Sequence, residues 1–280
     1  MVQEVWLAVA RKCPGPRRSY MPIDTALIGA LHVDYFVKQD LTEEDPLHHT
    51  LFQTSTIDSL LDGNYEGDVS FAELKPHGDF GLGTFDALDG EMVALDGDYY
   101  QVRADGRAYP VDWQTKTPFA VVTFFEPMLS ETLGAANLAD LCERVDRLSG
   151  EATRCCSVRV DGRFDHVRTR SVPRQRKPYP PLVEVVQDQP VFELDDVRGS
   201  LVGFKFPDYA QGLNVAGYHF HFITDDRSAG GHVLECRLAT GELHVDREAD
   251  LKVELPPGVS LPTPDQSASR KETIDRIEKG

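Results

Sequence analysis

The sequence is poor in cysteine, in basic residues and in long apolar runs, and each shortage excludes a class of protein. Its five cysteines form no CxxC pair and no even disulfide framework, which favours reduced thiols and a cytoplasmic location without excluding secretion. No apolar run approaches the roughly 20 residues that span a bilayer, so we expect a soluble chain with no membrane partner. Acidic residues outnumber basic ones by 46 to 29, and the net charge of −17 argues against nucleic acid as a partner.

The 280 residues allow one large or two modest domains. The stretch PRQRKPYPPL at 173–182 is too rich in proline for a central strand, because proline lacks the backbone donor. We therefore place a domain boundary beside it. Residues 1–45 are predicted to be an N-terminal extension of unknown role, 46–176 a β-rich N-terminal domain, and 177–280 a β-rich C-terminal domain.

Turn dipeptides and apolar runs predict mostly antiparallel β-structure. Three Asp-Gly pairs separate short apolar runs between 79 and 111, and Asp-Gly favours tight hairpin turns. PFAVVTFF at 118–125 is a continuous apolar run, typical of a central strand covered on both faces. A further pair, Asp161-Gly162, predicts a turn between two strands.

One segment has helical periodicity instead. Apolar residues between 137 and 150 recur at helical spacing on one face. Asn137 can cap the start of this helix, and Gly150 can close its end.

The most distinctive stretch is GYHFHFITDDRSAGGHVLEC at 217–236, which holds three of the nine histidines. Residues i and i+2 of a strand share a face and lie roughly 6.5–7 Å apart, so His219 and His221 can bind one ion. A turn containing the two glycines that precede His232 would bring this third histidine back beside them. Three neutral imidazoles leave coordination positions open, which is typical of catalytic rather than structural zinc. We call these three residues the histidine triad.

Other interpretations of the triad stay open at the level of sequence. An HxH pair alone is about as often a pair of hydrogen-bonded strand histidines as a metal site, and the third histidine favours the metal. The spacing does not separate zinc from iron, manganese or nickel. It also fits a cupin-like, metal-dependent oxygenase or isomerase, in which Asp225 or Asp226 would supply a carboxylate ligand.

Four longer segments are distinctive: LFQTSTIDSLLDG, HGDFGLGTFDALDGEMVALDGDYYQ, TRSVPRQRKPYPPLVEV and GYHFHFITDDRSAGGHVLEC. Together they resemble the α-acetolactate decarboxylase family over about residues 50–236, with a weaker match in the C-terminal tail. The resemblance implies an α+β fold with two related domains, mostly antiparallel or mixed β-sheets and a few helices, and often a homodimer. It also implies a carboxy-lyase that converts 2-acetolactate, a small-molecule substrate, to acetoin and carbon dioxide.

The resemblance assigns roles to individual residues. It identifies the histidine triad as zinc ligands, in agreement with the spacing argument, and so makes the predicted C-terminal domain the metal-binding one. It identifies Glu91 in LDGEM as an active-site glutamate and Arg170 in TRSVP as an essential arginine. From the residues alone, Glu91 is an ordinary surface carboxylate and Arg170 is one of four arginines in a basic patch.

The resemblance also points to two residues outside these motifs. A glutamate from the C-terminal tail is expected in the active site, and Glu278 in DRIEKG matches best, with Glu272 as the alternative. Thr84 in GLGTF lies near the family's pocket and is expected to hydrogen-bond the substrate. A threonine is equally ordinary in a strand.

The implied chemistry uses these residues together. Loss of carbon dioxide leaves electrons that move onto the ketone oxygen, and Zn2+ would stabilise the resulting enediolate. Arg170 would orient the substrate, and Glu91 or Glu278 would deliver a proton to one face, which gives a single acetoin enantiomer. The non-enzymatic alternative is a zinc-stabilised binding scaffold without turnover.

Overall fold

The computed structural model describes residues 32–37, 49–150, 154–259, 270–274 and 276–277. The predicted extension 1–45 lies outside these ranges except for one strand, and Glu278 lies outside them as well. Within the described ranges, no helix is long and apolar enough to cross a membrane.

Strands dominate the described chain, and most helices are short. The strands are β1 (His32–Val37), β2 (Thr50–Thr54), β3 (Val69–Ser70), β4 (Phe80–Thr84), β5 (Glu91–Leu95), β6 (Asp98–Val102), β7 (Ala108–Pro110), β8 (Lys116–Thr117), β9 (Ala120–Thr123), β10 (Leu129–Ala135), β11 (Cys156–Arg170), β12 (Val191–Phe206), β13 (Gly217–Thr224), β14 (Gly230–Arg247) and β15 (Asp250–Leu255). Between residues 49 and 259, the described α-helices are α1 (Ile57–Leu61), α2 (Phe71–Leu74), α3 (Leu138–Ser149) and α4 (Leu182–Val185), and the described tail residues 270–274 and 276–277 are helical as well. Short 3-10 helices are formed by Lys75–His77, Asp86–Leu88, Val186–Asp188 and Asp208–Ala210.

The strands form two large sheets. The first sheet is mixed, in the order β1-β15-β2-β9-β4-β5-β6-β7, and β15 pairs in parallel with both β1 and β2. The second sheet is antiparallel, in the order β10-β14-β11-β12-β13, and β13 also pairs with the start of β14. Four of its strands therefore close into a ring. Mixed and antiparallel sheets with a few helices confirm the predicted α+β class.

The proline-rich stretch contains no strand, as predicted, and residues 171–181 connect β11 to α4 without regular structure. Strands from both sides of the predicted boundary at 176/177 share the second sheet, because β11 pairs with both β12 and β14. The later strand β15 returns to the first sheet. The division into two related domains stays a prediction.

The predicted central strand is confirmed. Within the run at 118–125, β9 lies between β2 and β4, and all four of its residues are buried. β-branched side chains suit this position because both faces of the strand pack against other residues.

The predicted helix at 137–150 is confirmed as α3. The side-chain oxygen of Asn137 accepts a hydrogen bond from the backbone N–H of Asp140 at 2.9 Å, a cap that stabilises a helix by about 1 kcal/mol. Gly150 ends the helix in the left-handed region, with φ 67°. Leu141 and Val145 are fully buried against the second sheet.

The hairpin dipeptides between 79 and 111 behave as predicted. Asp96 and Gly97 connect β5 to β6 with positive φ values of 55° and 81°, and Gly106 has φ 78° between β6 and β7. Gly90 has φ 95° directly before β5. These positions favour glycine or aspartate because other side chains rarely tolerate the left-handed backbone.

The predicted turn at Asp161-Gly162 is wrong, because β11 runs without interruption through both residues. Gly162 pairs with Gly199 on one side and Gly241 on the other. A Cβ atom at Gly162 would lie 2.5 Å from the carbonyl oxygen of Thr240. The glycine thus permits a close approach of neighbouring strands rather than a reversal of the chain.

The two sheets pack against each other through apolar side chains from both. Phe80 of β4 and Val93 of β5 belong to the same buried cluster as Val202 and Phe204 of β12. The rings of Phe80 and Phe204 meet edge to face, with centroids 5.8 Å apart. This packing brings β5 beside β13 and β14, the two strands that carry the histidine triad.

A buried carboxyl group also joins the sheets. Glu248, between β14 and β15, is fully buried and accepts hydrogen bonds from the hydroxyls of Ser157 on β11 (2.7 Å) and Thr123 on β9 (3.4 Å). Burial, with the negative charge of Asp246 nearby, raises the pKa of Glu248 to about 8. The group is therefore mostly protonated at neutral pH.

Candidate metal centre

The structure brings the three histidines together at the point where β13 meets β14. His219 and His221 lie two residues apart on β13, so both side chains fall on the same face of the strand. His232 is the third residue of β14 and pairs directly with His221. All three are buried.

The hairpin between these strands differs in detail from the prediction. Its turn spans Asp225–Ser228 and is closed by the backbone N–H of Thr224, which donates to the carbonyl of Ala229 at 3.0 Å. The two predicted turn glycines instead lie in β14. A Cβ atom at Gly230 would lie 2.2 Å from the carbonyl oxygen of Phe222, so glycine permits close strand pairing there.

The imidazole nitrogens of the triad converge on one point. Nε2 of His219 lies 3.2 Å from Nε2 of His221 and 3.0 Å from Nδ1 of His232. One ligand atom from each residue falls within 4.8 Å of the other two. Nitrogens about 2.0–2.1 Å from a tetrahedral zinc ion lie roughly 3.3–3.4 Å from one another, so this donor set fits such an ion.

One imidazole is oriented by the other sheet. Nδ1 of His221 donates a hydrogen bond to the backbone carbonyl of Met92 on β5, at 2.7 Å. This bond places the ring proton on Nδ1 and leaves the Nε2 lone pair directed at the other two histidines. Protein metal sites commonly orient a histidine ligand in this way.

The electrostatics of the site favour neutral imidazoles, the form that binds metals. Burial, aided by the positive charge of Arg170, lowers the pKa of His219 to about 3. Burial and the neighbouring His219 lower the pKa of His221 well below its usual range. Both rings therefore keep their lone pairs across the physiological pH range.

The aspartates considered as additional ligands take part in the hairpin instead. The Asp226 carboxylate accepts hydrogen bonds from the hydroxyls of Thr224 and Ser228, each at 2.7 Å. Asp225 is exposed and lies 3.3 Å from Nε of Arg198. Among the residues that the structure describes, the group able to hold a metal consists of the histidine triad.

Glu91 lies at the triad. It is the first residue of β5, it is 8% exposed, and its Oε2 lies 3.5 Å from Nε2 of His221. The carboxyl group therefore reaches the space into which the imidazole nitrogens point. A surface position, the ordinary expectation for a glutamate, does not apply here.

Thr84 supports the position of Glu91. It pairs with Glu91 across β4 and β5, and its hydroxyl donates to the carbonyl of Gly90 at 2.8 Å. The Thr84 hydroxyl therefore donates its proton to the turn before Glu91, and its oxygen can still accept a hydrogen bond. Substrate binding by Thr84 stays a prediction.

Arg170 also lies beside the histidines. It is the last residue of β11, it is 3% exposed, and it pairs with His232 across β14. Its Nη1 donates to Oε1 of Gln189 at 2.8 Å, and its buried Nε has no hydrogen-bond partner among the described residues. Sequence reasoning missed Gln189, because an amide after a short helix carries no motif.

Two neighbouring arginines point elsewhere. Arg168 donates to Glu235 on the surface at 2.7 Å, and Arg174 is exposed and lies 3.1 Å from Asp86. Of these three arginines, only Arg170 is buried.

The described part of the C-terminal tail packs beside the site. Ile274 and Ile277 are buried in an apolar cluster that also contains Val172 and Val215, which lie close in sequence to Arg170 and the triad. Arg270 pairs with Asp62 at the end of α1 at 3.0 Å. Glu272 is exposed, and Glu278 lies outside the described residues.

Fold and site together define a class of α+β protein with a buried histidine triad that could hold a metal ion, flanked by a carboxyl group and a guanidinium. Comparison with known families is consistent with that class: the sequence model described as alpha-acetolactate decarboxylase matches residues 51–260. The chain belongs to the α-acetolactate decarboxylase family. Membership of this family confirms the prediction of an enzyme of the carboxy-lyase class.

Individual relatives agree over most of their length. The α-acetolactate decarboxylase of Methylococcus capsulatus is 46% identical over 231 residues, which cover 82% of this chain and 89% of the relative. The α-acetolactate decarboxylase of Methanosarcina mazei is 47% identical over 230 residues, which cover 82% of this chain and 80% of that relative. The crystal structure of α-acetolactate decarboxylase from Bacillus subtilis superposes with a TM-score of 0.76 and 37% identity, covering 82% of this chain and 99% of that one.

Proposed function

We propose that this chain converts 2-acetolactate to acetoin and carbon dioxide. The observation that carries the proposal is the convergence of the histidine triad with Glu91 and Arg170, two groups of opposite charge type, in one buried site. The reaction breaks the bond to the carboxylate carbon, moves its electron pair toward the ketone oxygen and consumes one proton. A buried site with a cationic side chain and a carboxyl group suits each of these needs.

Zn2+ is the proposed cofactor, held by the Nε2 atoms of His219 and His221 and by Nδ1 of His232. Bound there, a dipositive ion would supply Lewis-acid stabilisation of negative charge on substrate oxygen. Burial of the triad and the lowered pKa values of His219 and His221 support binding of a metal. Three imidazole nitrogen donors would favour zinc over the harder ions that prefer oxygen.

Arg170 is proposed to bind the substrate carboxylate. A guanidinium is charged at every physiological pH and can donate two parallel hydrogen bonds to a carboxylate. Its buried Nε supports this role, because a donor without a partner among the described residues favours a ligand that accepts from it.

Glu91 is proposed to hold the proton that is delivered to carbon, with Glu278 as the second candidate for that step. The short distance from the Glu91 carboxyl group to His221 supports delivery from one side of the site. Delivery to one face of a planar intermediate gives one enantiomer. Thr84 is proposed to accept a hydrogen bond from a substrate hydroxyl.

The decisive test is a chiral assay of acetoin formed from racemic acetolactate by the purified protein. The assay is run on the protein as isolated, after chelation and after zinc is restored, with a no-enzyme sample for spontaneous decarboxylation. We expect rapid formation of one enantiomer that is lost on chelation and recovered with zinc. Production no faster than the no-enzyme sample, with metal bound, would reject the proposed substrate in favour of a binding scaffold, and oxygen consumption would favour an oxygenase.

We further propose that the enzyme is a cytoplasmic homodimer, and that the segments on either side of residue 176 form two related domains. The free thiols of the described cysteines are compatible with a reducing compartment. Light scattering of the purified protein tests the dimer, since a mass near 31.2 kDa would indicate a monomer.

A further inference from the structure

We propose that Gln189 is a positioning residue that holds the guanidinium of Arg170, so that its Nε and Nη2 edge is presented to the substrate carboxylate. The inference rests on the proposed function only for the identity of the substrate. The contact between the side chains of Arg170 and Gln189 is observed in the structure and does not depend on the proposed function.

The contact is a charge-assisted hydrogen bond from Nη1 of Arg170 to Oε1 of Gln189, at 2.8 Å. A guanidinium has five donors and no acceptor, so the amide must turn its oxygen toward it. Because Gln189 is neutral, it orients the positive charge without cancelling it. A glutamate in the same place would orient the group and also compete with an anionic substrate.

The backbone places Gln189 beside Arg170. The residue follows the 3-10 helix Val186–Asp188, and the next carbonyl, that of Pro190, accepts a hydrogen bond from the backbone N–H of Ser171 at 3.2 Å. The Ser171 hydroxyl donates in turn to the carbonyl of Val102 at 2.8 Å. The segment that carries Gln189 is thus fixed to the residue that follows Arg170 and to the first sheet.

The remaining donors define the edge that is left for a ligand. Nε of Arg170 is buried without a hydrogen-bond partner among the described residues, in a side chain that is 3% exposed. A carboxylate binds a guanidinium through two adjacent N–H groups, and Nε with Nη2 forms such a pair. With Nη1 held by Gln189, rotation of the guanidinium away from this orientation breaks a hydrogen bond.

The test compares Gln189→Met, which keeps the length of the side chain and removes the acceptor, with Gln187→Met as the matched control. Gln187 is exposed and lies in the same short segment. For the zinc-loaded full chain, we expect Gln189→Met to lower kcat/KM for acetolactate roughly tenfold, mainly through KM, since a hydrogen bond to a charged group is worth about that factor. Zinc content should equal that of the wild type, and Gln187→Met should behave as the wild type.

A double-mutant cycle separates positioning from a general structural role. If Gln189 acts through Arg170, adding Gln189→Met to Arg170→Ala should leave kcat/KM within about twofold of the single Arg170→Ala variant. Effects that multiply would overturn the inference, as would a Gln189→Met variant that matches the Gln187→Met control.

A binding measurement tests the role of Gln189 independently of turnover. Calorimetry with 2-hydroxy-2-methylpropanoate, a carboxylate that cannot be decarboxylated in the same way, should show a roughly tenfold rise in Kd for Gln189→Met. Binding of its uncharged methyl ester should not change. A wild type that binds the acid but turns over no acetolactate would reject the proposed function alone, whereas equal Kd values for the acid in wild type and variant would reject the role of Gln189.

Discussion

His221 and Met92 join the two sheets through a hydrogen bond of 2.7 Å, from Nδ1 of the imidazole to the backbone carbonyl. His221 belongs to the second sheet and Met92 to the first, directly after Glu91. The same contact therefore orients one histidine of the triad and fixes the strand that supplies the Glu91 carboxyl group.

Replacement of His232 by alanine should remove one of three nitrogen donors. We expect the variant to lose most of its zinc and its turnover to fall roughly a hundredfold or more, since Lewis-acid stabilisation is worth several kcal/mol. Metal analysis and the acetoin assay measure the two effects. His244→Ala is the control, because that histidine lies on the same strand but bonds with Ser130 away from the triad. Full zinc retention in His232→Ala would contradict the assignment.

Replacement of Arg170 by alanine should separate substrate binding from metal binding. We expect a fall in kcat/KM of roughly tenfold or more, from loss of charged hydrogen bonds, with zinc content near that of the wild type. Steady-state kinetics and metal analysis check the two halves of this expectation. Arg168→Ala, which removes an exposed arginine paired with Glu235, should change neither quantity. Loss of zinc in Arg170→Ala would instead make the arginine structural.

Replacement of Glu91 by glutamine keeps the shape of the side chain and removes the carboxyl group proposed to deliver the proton. We expect the zinc to stay bound, while turnover falls by roughly 10²–10⁴ or the enantiomeric purity of acetoin decreases, because general acid catalysis contributes about that factor. Chiral chromatography of the product gives both quantities. Unchanged rate and chirality would remove Glu91 from the mechanism.

Replacement of Glu248 by glutamine should change how stability depends on pH. The folded-state pKa of about 8 lies above the ordinary 4.5, so the folded protein favours the protonated form. The contribution of the protonated Glu248 carboxyl group to the free energy of unfolding is complete below pH 4.5. It is lost as pH rises toward 8, by up to about 1.4 kcal/mol per pH unit. Glutamine stays neutral at every pH. The free energy of unfolding of Glu248→Gln, relative to that of the wild type, should therefore rise steadily from pH 5 to pH 8.

Urea unfolding at several pH values measures this difference for Glu248→Gln. Glu242→Gln serves as the control, because Glu242 is exposed on β14, the strand that ends just before Glu248. A difference between Glu248→Gln and wild type that stays constant across the pH range would show that the carboxyl group does not titrate as described.

Replacement of Gly162 by alanine tests the correction to the predicted turn. A Cβ atom there lies 2.5 Å from a backbone oxygen that flexible side-chain motion does not relieve. We expect the free energy of unfolding to fall by about 1–3 kcal/mol, the usual range for overpacking. Denaturant unfolding provides the measurement. An unchanged midpoint would argue against the close strand contact at Gly162.

The parts of this fold that sequence predicted are those set by local patterns. The spacing of His219 and His221 follows from the two-residue period of a strand, and the return of His232 from a hairpin in the next few residues. The α3 helix carries its own start and stop signals. These features need no knowledge of distant residues.

The missed features depend on contacts between distant segments. Asp161-Gly162 has the composition of a turn, and only the neighbouring strands show that the glycine serves close packing. Gln189 contacts Arg170 across a connection with no periodic pattern. The parallel insertion of β15 between β1 and β2 joins strands about 200 residues apart, which no local signal indicates.

The pairing that closes the ring of the second sheet is short. It comprises His221 with His232, Phe222 with Gly231, and Ile223 with Gly230. An ion held by the triad would bind residues from both sides of this seam and so act as a cross-link between β13 and β14. A bound metal would then oppose local separation of β13 from β14. Chelation should accelerate amide hydrogen exchange at Phe222 and Gly231 before it affects the centre of β11.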